Sequence, residues 1–449
     1  MKNIDFSQGS VRKCIIMQAV PLTVAQLVHI LYNLVDRIYI GHLGDGDSIA
    51  LTGVGLTFPV ITLIMAFTAL FGNGGLPLFS MAHGAGDKEK AQKILGNSAF
   101  LLISSSVILT VLGYILTKPL LFAFGASGES FVYAKEYLNI YLTGTLFAMI
   151  STGLNGYINS QGFPRIGMFT VVIGAAVNIV LDPIFIFVFD MGVGGAALAT
   201  VISQAVSALW IIAFLTGKKA VVPLKISNIR AELATTKNIL RVGTANFIMQ
   251  GTNFLVQASC NSTLQIYGGD IFVGIMTVIN SIREIFTLPL TGIVNGAQPV
   301  ISFNYGAKKY DRVSSAISFN TKSGVIYTLA AWLLIVLFPS FWFGVFSDDA
   351  VMALHGAQML KIYFFGFIFM ALQFAGQSVF QALGDAKHAI IFSLLRKVVI
   401  VVPLTLLLPR IGFGVAGVFL AEPISNVIGG LCCYITMKIT VGKALGNRS

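Results

Sequence analysis

Apolar runs long enough to cross a bilayer follow one another through nearly the whole chain, and they leave few folds open. A hydrocarbon core of roughly 30 Å takes about 20 helical residues. Twelve runs reach that length, at 15–40, 50–80, 95–116, 131–158, 164–188, 192–214, 238–266, 271–302, 318–345, 355–382, 386–408 and 412–437. Only 10% of the 449 residues are charged, against roughly 25% in soluble domains. With no water to satisfy the backbone in lipid, runs of this length read as helices. The expectation is an all-α membrane protein of twelve transmembrane helices. Several runs exceed what a straight crossing needs, so tilt or kinks are expected, with Pro21, Pro59, Pro77, Pro183, Pro289, Pro299 and Pro403 as candidate kink sites.

The net charge is +11. Its distribution reads as orientation, not as affinity for nucleic acid. With the N-terminus placed in the cytoplasm and loops assigned alternately, 23 of the 29 basic residues fall on the cytoplasmic side. The opposite loops hold mostly acids, among them Asp45, Asp47, Asp190, Asp270, Asp348 and Asp349. Such a bias puts both termini in the cytoplasm and requires an even number of spans. Cys14, Cys260, Cys432 and Cys433 lie in or beside apolar runs and form no C-x2-C pair, so they read as reduced, buried thiols. The first run is too long for a signal-peptide core and lacks a small-residue cleavage site.

The chain repeats itself. At an offset of 222 residues, positions 73–203 show 23 identities, clustered near the end of the second run and in the sixth. Asn73-Gly74 meets Asn295-Gly296, Gly144 meets Gly366, Gly162 meets Gly384, and Gly192-Val193 meets Gly414-Val415. Each half holds six runs, so both enter the membrane in the same orientation and their pseudo-twofold runs along the membrane normal. The expected architecture is two six-helix bundles facing a central cleft: an N-lobe at 1–217, a basic cytoplasmic linker at 218–237, and a C-lobe at 238–449.

Ionisable and amide side chains within the hydrocarbon are costly and mark candidate sites. Asp36 shares one helix face with His29 and Tyr32. It either serves a site or pairs with Arg37 or outside water. Asp182 lies deep in the fifth run, with Asn178 one turn earlier and Pro183 after it. A proline there frees backbone carbonyls. Carboxylate, amide oxygen and carbonyl are hard ligands suited to Na⁺ or a proton. The bland alternative is a helix-breaking Asp-Pro at an interface. Thr200 follows the small-residue stretch Gly192–Ala199, which permits close approach to the fifth run; it serves that site or bonds back to its own helix. The offset places Ile400, Leu404 and Glu422 opposite Asn178, Asp182 and Thr200. The scaffold is thus shared while the polar set is not, which points to one coupling site in the N-terminal half. Arg283 and Glu284 read as satisfying each other or neighbouring helices. The stripe Gln373, Gln377 and Gln381 reads as cleft lining or as glue between helices.

No H-E-x-x-H, P-loop or G-x-S-x-G motif is present, so neither an enzyme nor an ATP-driven pump is indicated. The segments Tyr32-Asn33-Leu34-Val35-Asp36-Arg37, Asn178-Ile179-Val180-Leu181-Asp182-Pro183 and Met191–Thr200, with Asn304-Tyr305-Gly306-Ala307 and Gly414–Gly417 in the second half, together resemble the multidrug and toxic compound extrusion (MATE) transporters. The resemblance covers essentially the whole chain. It implies export of organic, cationic, drug-like compounds in exchange for H⁺ or Na⁺ by a protein of the prokaryotic plasma membrane that works as a monomer. It assigns Asp36, Asn178, Asp182 and Thr200 to an N-lobe cation site, Tyr32 and Asn155 to an adjacent substrate pocket, and Pro21 to a bend in the first helix. No cofactor is implied beyond a possible Na⁺. The seventh and tenth runs lack acids, which sets the chain apart from members with a carboxylate site in the C-lobe. A lipid-linked precursor flippase is the alternative; it would call for a strongly basic cleft, for which Arg37, Arg283 and Arg396 are the candidates.

Overall fold

A computed structural model describes residues 3–40, 47–345 and 350–446. Asp45, Asp348 and Asp349, assigned above to outside loops, lie outside the described residues. All twelve apolar runs are helical. They are α1 (Val11–Ile40), α2 (Thr52–Gly84), α3 (Lys88–Ala123), α4 (128–160), α5 (Pro164–Val188), α6 (Gly192–Thr216), α7 (233–268), α8 (270–306), α9 (Tyr310–Leu337), α10 (Leu354–Phe364 and Phe367–Ala382), α11 (Ala386–Leu407) and α12 (Pro409–Lys443). Nine helices among the described residues are individually long and apolar enough to span, or ten with the two parts of α10, bent by 44°, counted as one. One of the nine, Leu233–Gly306, supplies two spans, because Gly269 at φ 65 and ψ −166 interrupts it. The remaining span, α4, is helix in three pieces that meet at Gly144 and Leu154.

Packing divides the chain into two compact units, residues 1–5 with 21–243 and residues 6–20 with 244–449. One division falls between Val20 and Pro21, inside α1. In the first unit α6 packs along α5 and α4, while α2 and α4 pack on α3. The basic stretch after α6 is fastened to this unit. The Val222 amide donates to Gln161 Oε1 at 2.9 Å. The Asn97 amide donates to the Arg230 carbonyl at 3.2 Å and accepts from Thr236 Oγ1 at 3.0 Å. Val222 and Leu224 are buried beneath these bonds. In the second unit α10 packs between α9 and α12. Arg312 clamps the segment before α1 by donating to the carbonyls of Phe6, Gln8 and Gly9.

The glycines kept in both halves serve the same local geometry in each. Gly162 and Gly384 take φ 86 and 71, and Gly192 and Gly414 take φ 52 and 51. These left-handed values strain any residue with a Cβ, and they let the chain reverse direction ahead of α5 and α11, and ahead of α6 and the main part of α12. Gly144 meets Val201 where Gly366 meets Pro423, so the fourth and sixth helices of each unit touch at equivalent positions. Repeat identity here is therefore backbone geometry, independent of any ligand.

Candidate functional site

The site in the first unit is built on α5 and its break. Pro183 ends regular α-helix, and Ile184–Val188 continues as a π-helical turn. A proline removes one ladder donor, and the wider turn absorbs the mismatch. Gly195 of α6 lies against that turn. A Cβ at this position would come within 2.7 Å of the Phe185 carbonyl carbon. About three turns of α6 further on, Gly174 and Ser207 meet in the same close-packed manner, and Ser207 Oγ donates to the Thr170 carbonyl at 3.1 Å. Small residues thus hold α5 and α6 together without a wedge of side chains. Gly195→Ala is expected to destabilise the chain by about 1–3 kcal/mol, because the nearest atoms are backbone and cannot rotate away. A thermal midpoint in detergent should fall, while Gly128→Ala, which meets nothing within 4 Å, should leave it in place.

Asp182 is fully buried and Asn178 nearly so, at 0% and 1% exposed. Asn178 Nδ2 donates to Asp182 Oδ1 at 3.1 Å. Asn178 Oδ1 and Asp182 Oδ2 are buried acceptors with no hydrogen-bond partner among the described residues. A buried acceptor left without a donor is expensive, and two oxygens one helical turn apart form a pair that a cation or a proton would satisfy. Asp36 of α1 is half-buried and lies within electrostatic reach of Asp182. Tyr39 of α1 packs edge-on against Phe187 of the π-helical turn, with ring centroids 6.2 Å apart. That contact fixes the level at which α1 meets α5.

Thr200 joins this group. Its hydroxyl makes no bond to its own helix among the described residues and lies beside the Tyr137 phenol of α4, which is also within reach of Asp36 and Tyr32. Tyr32 itself contacts His29, hydroxyl to Nε2 at 3.4 Å. Asn155 is placed elsewhere. Its amide donates to the Gly167 carbonyl at 3.1 Å, and Gly167 precedes Asp182 on α5 by about 20 Å of helix. Pro21 sits at the division between the two units. The structure thus gathers Asp36, Asn178, Asp182, Thr200 and Tyr32, and leaves Asn155 and Pro21 apart from them. Tyr137 is a member that the sequence reading missed. With Tyr141 one turn on, rings stacked at 6.3 Å, it has the i, i+4 spacing of ordinary core.

The second unit holds a different polar set. Glu422 of α12 is buried and accepts from Arg396 of α11 at 2.9 Å, while Arg396 also donates to Asn426 at 2.9 Å. Arg283 of α8 turns to Glu422 as well, at 3.7 Å, and not to its chain neighbour Glu284. The glutamine stripe is both glue and lining. Gln381 links α10 to Asn246 of α7 and to Gln298 of α8, and Gln373, Gln377 and Gln381 all face one cavity of about 790 Å³.

Comparison with known proteins places this arrangement. A MatE family model matches the chain twice, over residues 21–184 and 245–407, at a separation close to the internal offset. The chain is 27% identical over 444 residues to the multidrug export protein MepA of Staphylococcus saprophyticus, covering 98% of this chain and 97% of that protein. Among solved structures it superposes with a TM-score of 0.92 and 26% identity on a multidrug resistance MATE family transporter of the MOP superfamily in an outward-facing conformation, covering 99% of both chains. It matches equally well, with TM-score 0.92, 26% identity and 99% coverage of each, a MOP superfamily transporter of Pyrococcus furiosus. That protein's binding pocket is described as having reverse polarity that suggests a different function.

Proposed function

Because this chain belongs to the MatE family, a family of multidrug transporters built from twelve helices in two lobes, we propose that it is a secondary antiporter that exports organic, cationic, drug-like compounds in exchange for H⁺ or Na⁺. It works as a monomer in the prokaryotic plasma membrane, with both termini in the cytoplasm. The observation that carries the coupling role is the buried Asn178–Asp182 pair with its two unsatisfied oxygens. Asp36 faces that pair electrostatically, and Thr200 and Tyr137 complete its polar wall. The donor set fits Na⁺ through oxygen ligands and fits a proton on the Asp182 carboxylate. Either cation neutralises carboxylate charge in a low dielectric, so its binding biases one conformation over another by its differential affinity. With no ATP motif in the sequence, uphill export draws on an ion gradient or a separate partner, and the cation site favours the gradient.

The test uses everted membrane vesicles and a fluorescent organic cation. Accumulation in the lumen should follow an imposed Na⁺ gradient or pH gradient, and should collapse when an ionophore dissipates that gradient. Accumulation indifferent to both gradients would sink the antiport reading.

A further inference from the structure

The cavity of the second unit has a charge balance that the coupling site does not explain. Three basic side chains, Arg283, Arg396 and Lys397, line it, against two acidic ones, Glu284 and Glu422. Of the three, Arg396 is fully engaged by Glu422 and Asn426. Arg283 reaches only the oxygen of Glu422 that Arg396 already holds, at a longer 3.7 Å. Lys397 has no acidic partner within ion-pair distance among the described residues. Its ammonium donates to the Met249 carbonyl at 3.3 Å and to Asn253 Oδ1, both neutral. Basic side chains therefore outnumber acidic ones by one in a recess walled by helices. Charges withdrawn from bulk water seek a counterion, and strong attraction to carboxylate or phosphate is what Arg and Lys offer together. The rest of the wall is mixed. Met276, Met370, Phe374 and Val418 give an apolar surface, and Gln373 and Gln377 give amide donors and acceptors. At about 790 Å³, the recess has the volume of sites that take drug-sized ligands.

We propose that this cavity binds the anionic group of an organic amphiphile, a carboxylate or phosphate ester, with Lys397 and Arg283 as its anchors. Arg396 and Glu422 position Arg283. The assignment extends the range of exported compounds beyond cations. It rests on the reading of the chain as an exporter only for its physiological meaning, since binding itself needs no gradient.

Equilibrium dialysis of the full-length chain in an uncharged detergent, with radiolabelled 2-naphthoate and the size-matched cation 2-naphthylmethylammonium, tests it. Naphthoate should bind saturably and at least about tenfold more tightly than the cation, the worth of one charge-assisted hydrogen bond. Lys397→Gln should weaken naphthoate binding by roughly tenfold, and Lys397→Arg should restore most of it. Arg283→Gln should act in the same direction; should that variant misfold, Lys397→Gln alone carries the result. Repeating the measurement in nanodiscs containing phosphatidylglycerol separates the two sources of such an anion: competitive displacement identifies a lipid headgroup as occupant, and its absence a soluble anion. Equal binding of the two naphthyl probes, or unchanged binding by Lys397→Gln, overturns the proposal. Naphthoate binding that survives alongside gradient-independent vesicle transport overturns the antiport reading and leaves this one intact.

Discussion

Asp182→Asn is expected to reduce gradient-driven efflux to the level of vesicles lacking the protein, while the chain still inserts and folds. The substitution keeps shape and volume. The amide oxygen can still accept from Asn178 Nδ2, so the one bond the carboxylate makes at 3.1 Å is retained. What disappears is the negative charge, and with it the group that a proton or Na⁺ neutralises. Removing a buried ionisable group also removes the desolvation cost of its charged form, so stability in detergent should hold or rise slightly. Loss of transport without loss of stability is the signature that separates a coupling carboxylate from a structural one. Asp36→Asn should share that signature, since Asp36 acts on the same charge balance from α1. Asn178→Leu should be milder in kind, weakening ion affinity by roughly 10- to 100-fold through loss of the group that orients Asp182. The measurement is fluorescent-cation accumulation in everted vesicles, paired with a thermal midpoint for each purified variant. Full efflux by Asp182→Asn removes that residue from the site.

The membrane class and the twelve spans were legible because a bilayer imposes its thickness on sequence directly, as an apolar length. The shared glycines were legible as a repeat, and the structure gives their reason: left-handed backbone at Gly162, Gly384, Gly192 and Gly414. The pair Asn178–Asp182 was legible because it lies one helical turn apart on a single helix. Contacts between helices were not. Arg396 enters the sequence reading only as a candidate for a basic cleft and Glu422 only as the counterpart of Thr200, and which of several cations a buried carboxylate meets depends on how α8, α11 and α12 pack. Nothing in the local sequence encodes that choice, and the adjacent Arg283-Glu284 pair leaves open whether each meets the other or a neighbouring helix. Successive residues on a helix diverge by about 100°, so adjacency in the chain is a poor guide to pairing. Tyr137 escaped notice for a related reason: a buried tyrosine at core spacing differs from a site residue only in what faces its hydroxyl. The interruption at Gly269 was marked only by the short gap between two apolar runs, whereas the division of α1 at Pro21 is a matter of which neighbours each half of that helix finds.

Arg396→Ala is expected to be the most disruptive single change in the second unit. Arg396 joins α11 to α12 through Glu422 and Asn426, each at 2.9 Å, and its aliphatic stem packs where Gly429 leaves room. The Ser425 hydroxyl donates to the backbone carbonyl of the same residue at 2.9 Å, so the two helices are already in register there. Truncation leaves Glu422 buried, with Arg283 at 3.7 Å as its remaining cation. Breaking a buried pair from one side typically costs about 3–5 kcal/mol, because the surviving charge keeps its desolvation penalty and loses its compensation. That is a large fraction of the stability of most domains. The thermal midpoint in detergent should drop sharply, with a matching fall in the yield of monodisperse protein. Neutralising both ends together, Arg396→Met with Glu422→Met, should recover most of the loss, since apolar groups of similar volume need no partner. Asn426 would then lose its donor and Arg283 its carboxylate, and the two set the remaining deficit, about 1–3 kcal/mol for the unsatisfied amide alone. If Arg396→Ala melts with the parent protein, the pair is not what holds α11 to α12, and the bond from the Ser425 hydroxyl to the backbone carbonyl of residue 396, which the truncation leaves in place, must carry that junction instead.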